Sequence, residues 1–343
     1  MIAVTYHDDY NKYDLGTDHP LIRDKPRKTM EFLEKKNIIR QCTVITPEKA
    51  TETDLLRAHD LQYVTHVKQL SMTGGWLSQD TPAPKGIYEY ACLSTGGSIQ
   101  AGEQLFKKFV CAVNPLGGFH HASSAHSSGF CFFNDIAVTI EYLREKYKVK
   151  RFEIIDLDVH HGNGTQDIYY SDPTVLNISF HQDGRTLYPG TGSLESIGRD
   201  EGEGFTVNLP FPPGTSGICY RKAFDEIVPW LTREFKPELI VYQAGVDTHH
   251  TDPLADLKLV YQDYYDLAKR VTGLSQETSR KLLVLLGGGY NSDSCLRSYY
   301  NIFCALIGRE DIEKEPAIED PNVKQVELLV NDLKKLLHSY WKP

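Results

Sequence analysis

The sequence predicts a mainly parallel α/β sheet with helices on both faces. Three observations carry the expectation. Short apolar runs alternate with stretches of helical character, several runs are continuously apolar as strands buried on both faces are, and the unusual polar clusters begin where runs end. The runs are IAVTY (2–6), FVCAV (109–113), FEIIDLD (152–158), TVLNISF (174–180), ELIVYQAGVD (238–247) and KLLVLLGGG (281–289). Helices are expected between them at about 86–108, 133–147, 218–234, 257–278 and 292–307, and alternation of this kind builds parallel sheets. Past Glu315, residues 322–341 set Val326, Leu328, Leu329, Leu333, Leu336 and Leu337 among charges, the pattern of an amphipathic terminal helix docked on the body.

With 343 residues and 41% hydrophobic content, the chain can bury a sizeable core. No repeat, low-complexity tract or linker divides it, so one domain over 1–343 is expected. The net charge of -9 argues against direct nucleic-acid binding, which needs a concentrated basic surface. The N-terminus is charged within eight residues and no apolar run approaches the ~20 residues of a membrane span, so a soluble, cytoplasmic protein without a secretion signal is expected. The seven cysteines (Cys42, Cys92, Cys111, Cys131, Cys219, Cys295, Cys304) are scattered, with no CxxC pair, and read as reduced thiols.

In IIDLDVHHGNG (154–164), Asp156, Asp158 and His160 alternate, so in an extended segment they share one face opposite Leu157 and Val159. Three other clusters also follow apolar runs: NPLGGFHHA with His120 and His121, Asp247 after ELIVYQAGV, and GGGY with Tyr290. Ligands of open α/β sheets bind beyond the carboxyl ends of the strands, so parallel neighbours would bring all four to one crevice. Asp158, His160 and Asp247 form a credible metal triad with a fourth position left for water. Taken singly, each has a bland alternative as a turn cap or an interior histidine. The mixed N/O set suits zinc, iron(II), cobalt or manganese, with zinc preferred.

Adjacent His120 and His121 suit acid–base work near neutral pH. A carboxylate behind the first, from Asp156, favours its cationic form. A neutral Asn163 behind the second leaves that ring more easily basic. Tyr290 can present a phenol to a developing oxyanion, although standing alone among 20 tyrosines it would read more readily as a loop anchor. The triple glycine lacks the GK[ST] of a phosphate loop. His126, His161, His181, His249 and His250 are read as supporting or structural.

The HH pair, DLDVHHGNG, QAGVD and GGGY in this order resemble the histone deacetylase and acetoin-utilisation protein family of the arginase-deacetylase superfamily. HDLQYV (59–64), LSTGGS (93–98), SSGFCFFND (127–135) and YPGTG (188–192) extend the resemblance over roughly residues 2–310. It implies a single open, mostly parallel sheet of about eight strands and zinc-dependent removal of an acyl group from an amine, most familiarly acetyl-lysine. By resemblance the zinc ligands are Asp158, His160 and Asp247, the catalytic pair is His120 and His121 backed by Asp156 and Asn163, and Tyr290 is the oxyanion tyrosine. Phe130 and Tyr188 match tunnel aromatics, Gly129 lies beside the substrate amide, and Leu254 and Asp80 fall at rim positions. Potassium is expected at Asp156, Asp158, His160 and Ser179. NPLGGFHHA in place of RPPGHHA, the longer HPLIRDKPR segment and Tyr188 in place of phenylalanine depart from the family pattern. Acetylpolyamine hydrolysis is an alternative that Leu254 weakens, because it supplies no carboxylate for a distal ammonium. A non-catalytic acyl-lysine binding protein would have lost a ligand, a histidine or the tyrosine, and none is lost. Oligomeric state is left open.

Overall fold

The computed structural model describes residues 2–342. The strands are β1 (Ile2–Thr5), β2 (Cys42–Ile45), β3 (Gly75–Ser78), β4 (Thr81–Ala83), β5 (Cys111–Asn114), β6 (Phe152–Asp156), β7 (Val175–Gln182), β8 (Thr206–Phe211), β9 (Leu239–Gln243) and β10 (Leu282–Leu285). Among the described residues, eight form one sheet in the order β2-β1-β5-β10-β9-β6-β7-β8, every pairing parallel, and β3 and β4 make a separate antiparallel hairpin. The helices are α1 (Lys25–Lys35), α2 (Glu52–Leu55), α3 (Leu61–Thr73), α4 (Ile87–Gln104), α5 (Asp135–Tyr147), α6 (Asn163–Tyr169), α7 (Gly217–Phe235), α8 (Tyr261–Glu277), α9 (Ser292–Ile307) and α10 (Val323–Leu337).

Side chains alternate across each central strand, and both faces are covered. Ile155, Tyr242 and Val284 point into one cluster with Ile227 of α7 and Leu267 of α8. Ile154, Val241 and Leu283 point the other way, against Ala101 of α4 and Ile140 of α5. The apolar runs in the sequence are continuous for this reason. Helix α10 buries Val326, Val330, Leu333 and Leu337, whereas Leu328, counted among its expected apolar positions, points to solvent; beyond the helix Trp341 packs on Phe205 and Phe235.

The sheet corrects several expected boundaries. β6 stops at Asp156, β9 at Gln243 and β10 at Leu285, so apart from Asp156, the last residue of β6, the polar clusters lie in the loops beyond the strands rather than on them. Helix α8 starts at Tyr261, not near 257. Strands β2 and β8 have no counterpart among the predicted runs. β2 is a four-residue edge strand with partly exposed side chains, and β8 carries Asn208 and Pro210, proline being tolerated at a sheet edge. No helix of the described residues is long and apolar enough to cross a membrane.

Candidate active site

The four strands that precede the four polar clusters are consecutive neighbours, β5-β10-β9-β6. Their register sets Asn114, Leu285, Gln243 and Asp156 side by side in the last row, with Ser179 of β7 next to Asp156. Each chain segment therefore leaves the sheet at the same level and enters one crevice.

After β6 the chain turns twice on its own carboxylates. The Asp158 N–H donates to Asp156 Oδ1 at 3.1 Å and the His160 N–H to Asp158 Oδ1 at 3.1 Å. These turns, rather than strand alternation, bring Asp158 and His160 together. Asp247 arrives from β9 and accepts the Val159 N–H at 2.8 Å. His160 Nδ1 then stands 3.2 Å from Asp158 Oδ1 and 3.2 Å from Asp247 Oδ2. All three residues are buried, and one ligand atom from each lies within 4.8 Å of the others.

This donor set fits a divalent ion. Bonds of about 2.0–2.1 Å in a tetrahedron separate neighbouring ligand atoms by roughly 3.3 Å, close to the spacing here. The ionic partners of Asp158 and Asp247 among the described residues are histidines, so two buried carboxylates lack a fixed cation. Burial and the nearby Asp158 push the Asp247 carboxyl up. Burial also raises Asp158, but His120 and His160 outweigh it and hold that carboxyl well below the usual range. Gly288 is obligatory beside them, since a Cβ there would collide with Asp247 Oδ2. Its N–H donates to Asp158 Oδ2 at 2.9 Å, and Gln243 Nε2 donates to the same oxygen at 3.2 Å.

The histidine pair is backed as the sequence suggests. His120 Nδ1 lies 2.7 Å from Asp156 Oδ2, His121 Nδ1 lies 2.7 Å from Asn163 Oδ1, and the two Nε2 atoms face each other at 3.1 Å. The two partners drive the rings apart electrostatically. Burial lowers His120, but the Asp156 and Asp158 charges override it and bring the imidazole up to about 9. Burial, with the charges of His120 and His160, puts His121 well below its ordinary value. The loop carrying the pair is braced from α5: the Asp135 carboxylate accepts the Phe119 N–H at 2.7 Å, and Asn134 Nδ2 donates to the Ala122 carbonyl at 2.9 Å.

Tyr290 sits at the same crevice, its ring 6.3 Å from that of His160 and 5.8 Å from Phe130, with its N–H held by Asp252 Oδ2 at 2.8 Å. Burial, with Asp247 and Asp158 nearby, pushes its phenol well up, so it is a protonated donor. Tyr188 flanks the other side, edge-on to His121 at 5.2 Å. Gly129 has φ +55, and a Cβ there would strike the His121 ring. Asp80, expected at the rim, uses Oδ2 to accept the Gly129 N–H at 3.0 Å and so clamps the Gly129–Phe130 turn. Leu254 is tied to the same neighbourhood through Asp252 Oδ1, which accepts its N–H at 3.0 Å. Ser179 lies one strand away with Oγ 2.9 Å from His181 Nδ1. His161 is hydrogen-bonded to Thr191 and Gln166 and packs on His181, away from the reacting groups. A cavity of about 50 Å³ lies against the pair, its wall including His120, His121, Phe130, Tyr290, Tyr13 and Arg23.

Gln243, Asp252 and Asp135 receive no role from the sequence. Gln243 carries the clearest missed signal, an amide inside an otherwise apolar strand run.

The family model for the histone deacetylase domain matches residues 19–306. A probable deacetylase of Archaeoglobus fulgidus is 34% identical, covering 100% of this chain and 99% of its own length. Acetoin utilization protein AcuC of Staphylococcus aureus strain COL is 32% identical over 89% of this chain and 81% of its own. Histone deacetylase 14, chloroplastic, of Arabidopsis thaliana is 35% identical over 78% of this chain and 66% of its own. The crystal structure of the HDA15 HD domain superposes with a TM-score of 0.89 at 27% identity, covering 99% of this chain and 96% of that one.

Proposed function

This chain belongs to the histone deacetylase family, and on that premise we propose that its crevice hydrolyses the acyl amide of acetylated lysine side chains in proteins. One observation carries the reading: the buried Asp158, His160 and Asp247 meet a histidine pair whose two rings have different partners. Zinc is the ion the donor set favours, with iron(II) next, and it would be held by those three side chains. When bound, it supplies polarisation of the acyl carbonyl and acidifies water.

His121 acts as general base. Its Nδ1 proton is engaged by the Asn163 carbonyl oxygen, which leaves the lone pair on Nε2; that lone pair faces His120 Nε2 at 3.1 Å and takes a proton from the attacking water by exchanging that contact for one to the water. His120, held cationic by Asp156, delivers a proton toward the leaving amine. The Tyr290 hydroxyl donates to the oxygen that gains charge as the carbonyl becomes tetrahedral. Phe130 and Tyr188 flank the acyl-lysine stem, with Gly129 beside its amide, and Leu254 and Asp80 belong to the rim. Potassium at Asp156, Asp158, His160 and Ser179 would be structural. Seven unpaired cysteines suit a reducing, cytoplasmic setting.

Substrate class is decided by kcat/KM of the metal-loaded protein on an acetyl-lysine peptide, N-acetylputrescine and N-acetylspermidine. The peptide is expected to be preferred, since Leu254 offers no carboxylate to a distal ammonium. Preference for either polyamine would overturn the substrate assignment. Tight peptide binding without acetate release would instead favour an acyl-lysine binding protein.

A further inference from the structure

A second cluster of metal-ligating side chains lies outside the crevice. His249 and His250 follow Asp247 on the loop after β9, and Glu315 comes from the irregular segment between α9 and α10. His249 Nε2 is 2.8 Å from Glu315 Oε2, and His250 Nε2 is 3.3 Å from Glu315 Oε1. One ligand atom from each residue lies within 4.8 Å of the others. We propose that these three residues form a second site for a divalent transition metal, a structural ion that clasps the Asp247–Asp252 loop to the segment before α10.

Two imidazoles and a carboxylate suit zinc or its neighbours rather than magnesium or calcium, which prefer all-oxygen sets. Tetrahedral bonds of about 2.0–2.1 Å separate ligand atoms by roughly 3.3 Å; the two imidazoles contact different Glu315 oxygens, so an ion would take one of these, and the 2.8 Å contact would open by about half an ångström to admit it. The ligands are held from behind. His249 is fully buried, its ring stacks on Tyr261 at 4.7 Å, and its Nδ1 lies 2.9 Å from Thr251 Oγ1, an outer partner that turns Nε2 toward Glu315. The Glu315 backbone is gripped by Gln262, which donates to its carbonyl at 2.9 Å and accepts its N–H at 3.1 Å. Glu315 Oε2 also accepts the Tyr261 N–H at 3.2 Å. Among the described residues, the ionic partners of the Glu315 carboxylate are the two imidazoles, so no lysine or arginine occupies the place of an ion. The His250 and Glu315 side chains are 30% and 19% exposed, which leaves a route for the ion and room for a water ligand.

The clasp would act on the active site from a distance. The loop it ties begins at Asp247 and ends at Asp252, whose carboxylate holds the Tyr290 N–H. The competing reading is a plain hydrogen-bonded clasp of two histidines on one carboxylate. Zinc stoichiometry by elemental analysis, after loading the full chain with zinc and removing free ion, separates the two. We expect His250→Ala and Glu315→Gln each to hold one zinc fewer than the parent, with cooperative melting retained but the zinc-induced rise in Tm reduced. The same loss should appear in a His160→Ala background, where the crevice site is disabled, so failure of the crevice assignment cannot imitate failure of this one. Equal zinc content in parent, His250→Ala and Glu315→Gln would overturn the second site.

Discussion

Replacing His121 with alanine is expected to nearly abolish deacylation, a fall in kcat of ~10²–10⁴, while zinc content stays at the parental level. The expectation follows from where the ring stands. Burial lowers the His121 imidazole first, the neighbouring His120 and the His160 of the proposed metal centre add to it, and a neutral amide rather than a carboxylate lies behind the ring, so it is kept neutral. A neutral ring with Nδ1–H committed to Asn163 presents only a lone pair at Nε2, as a base requires. It is not one of the three clustered donors, and its ring centroid is 5.9 Å from that of His160. Metal analysis beside kcat therefore distinguishes roles. If zinc fell together with activity, His121 would be a ligand or a prop for the ligands, and near-parental kcat would remove it from the chemistry.

Tyr290→Phe is expected to lose about 2.7–4 kcal/mol of transition-state stabilisation, a drop of ~10²–10³ in kcat. The hydroxyl is the only group removed, and the ring can keep its packing against Phe130 and His160. The backbone anchor to Asp252 is also untouched. The loss should fall on kcat with little change in KM, because the donor serves an oxygen that becomes fully anionic only in the transition state. Parental kcat in the Tyr290→Phe variant would show Tyr290 to be a loop anchor.

The crevice was legible because its parts are local in sequence and its convergence is a property of parallel sheets. DLDVHHGNG, the HH pair, Asp247 and GGGY each follow an apolar run, and the strands they follow are neighbours in the order β5-β10-β9-β6. What the sequence did not carry is the layer behind. Gln243 reaches Asp158 and the Gly118 carbonyl across separate strands, Asp252 reaches Tyr290 across 38 residues, and Asp135 reaches back to Phe119. Such contacts are fixed by packing, not by spacing. The alternation of Asp156, Asp158 and His160 suggested a strand face, whereas the convergence comes from two carboxylate-capped turns after the strand has ended. Edge strands β2 and β8 escaped for the opposite reason: short and partly exposed, or interrupted by Asn208 and Pro210, they lack the apolar continuity that marked the centre of the sheet.

The most direct test of metal-dependent deacylation is acetate release from an acetyl-lysine peptide by chelator-stripped protein, measured before and after zinc is restored. The geometry of Asp158, His160 and Asp247 predicts no turnover when stripped and full recovery with zinc. An undiminished rate in the stripped protein, or no acetate from the zinc-loaded one, would contradict it.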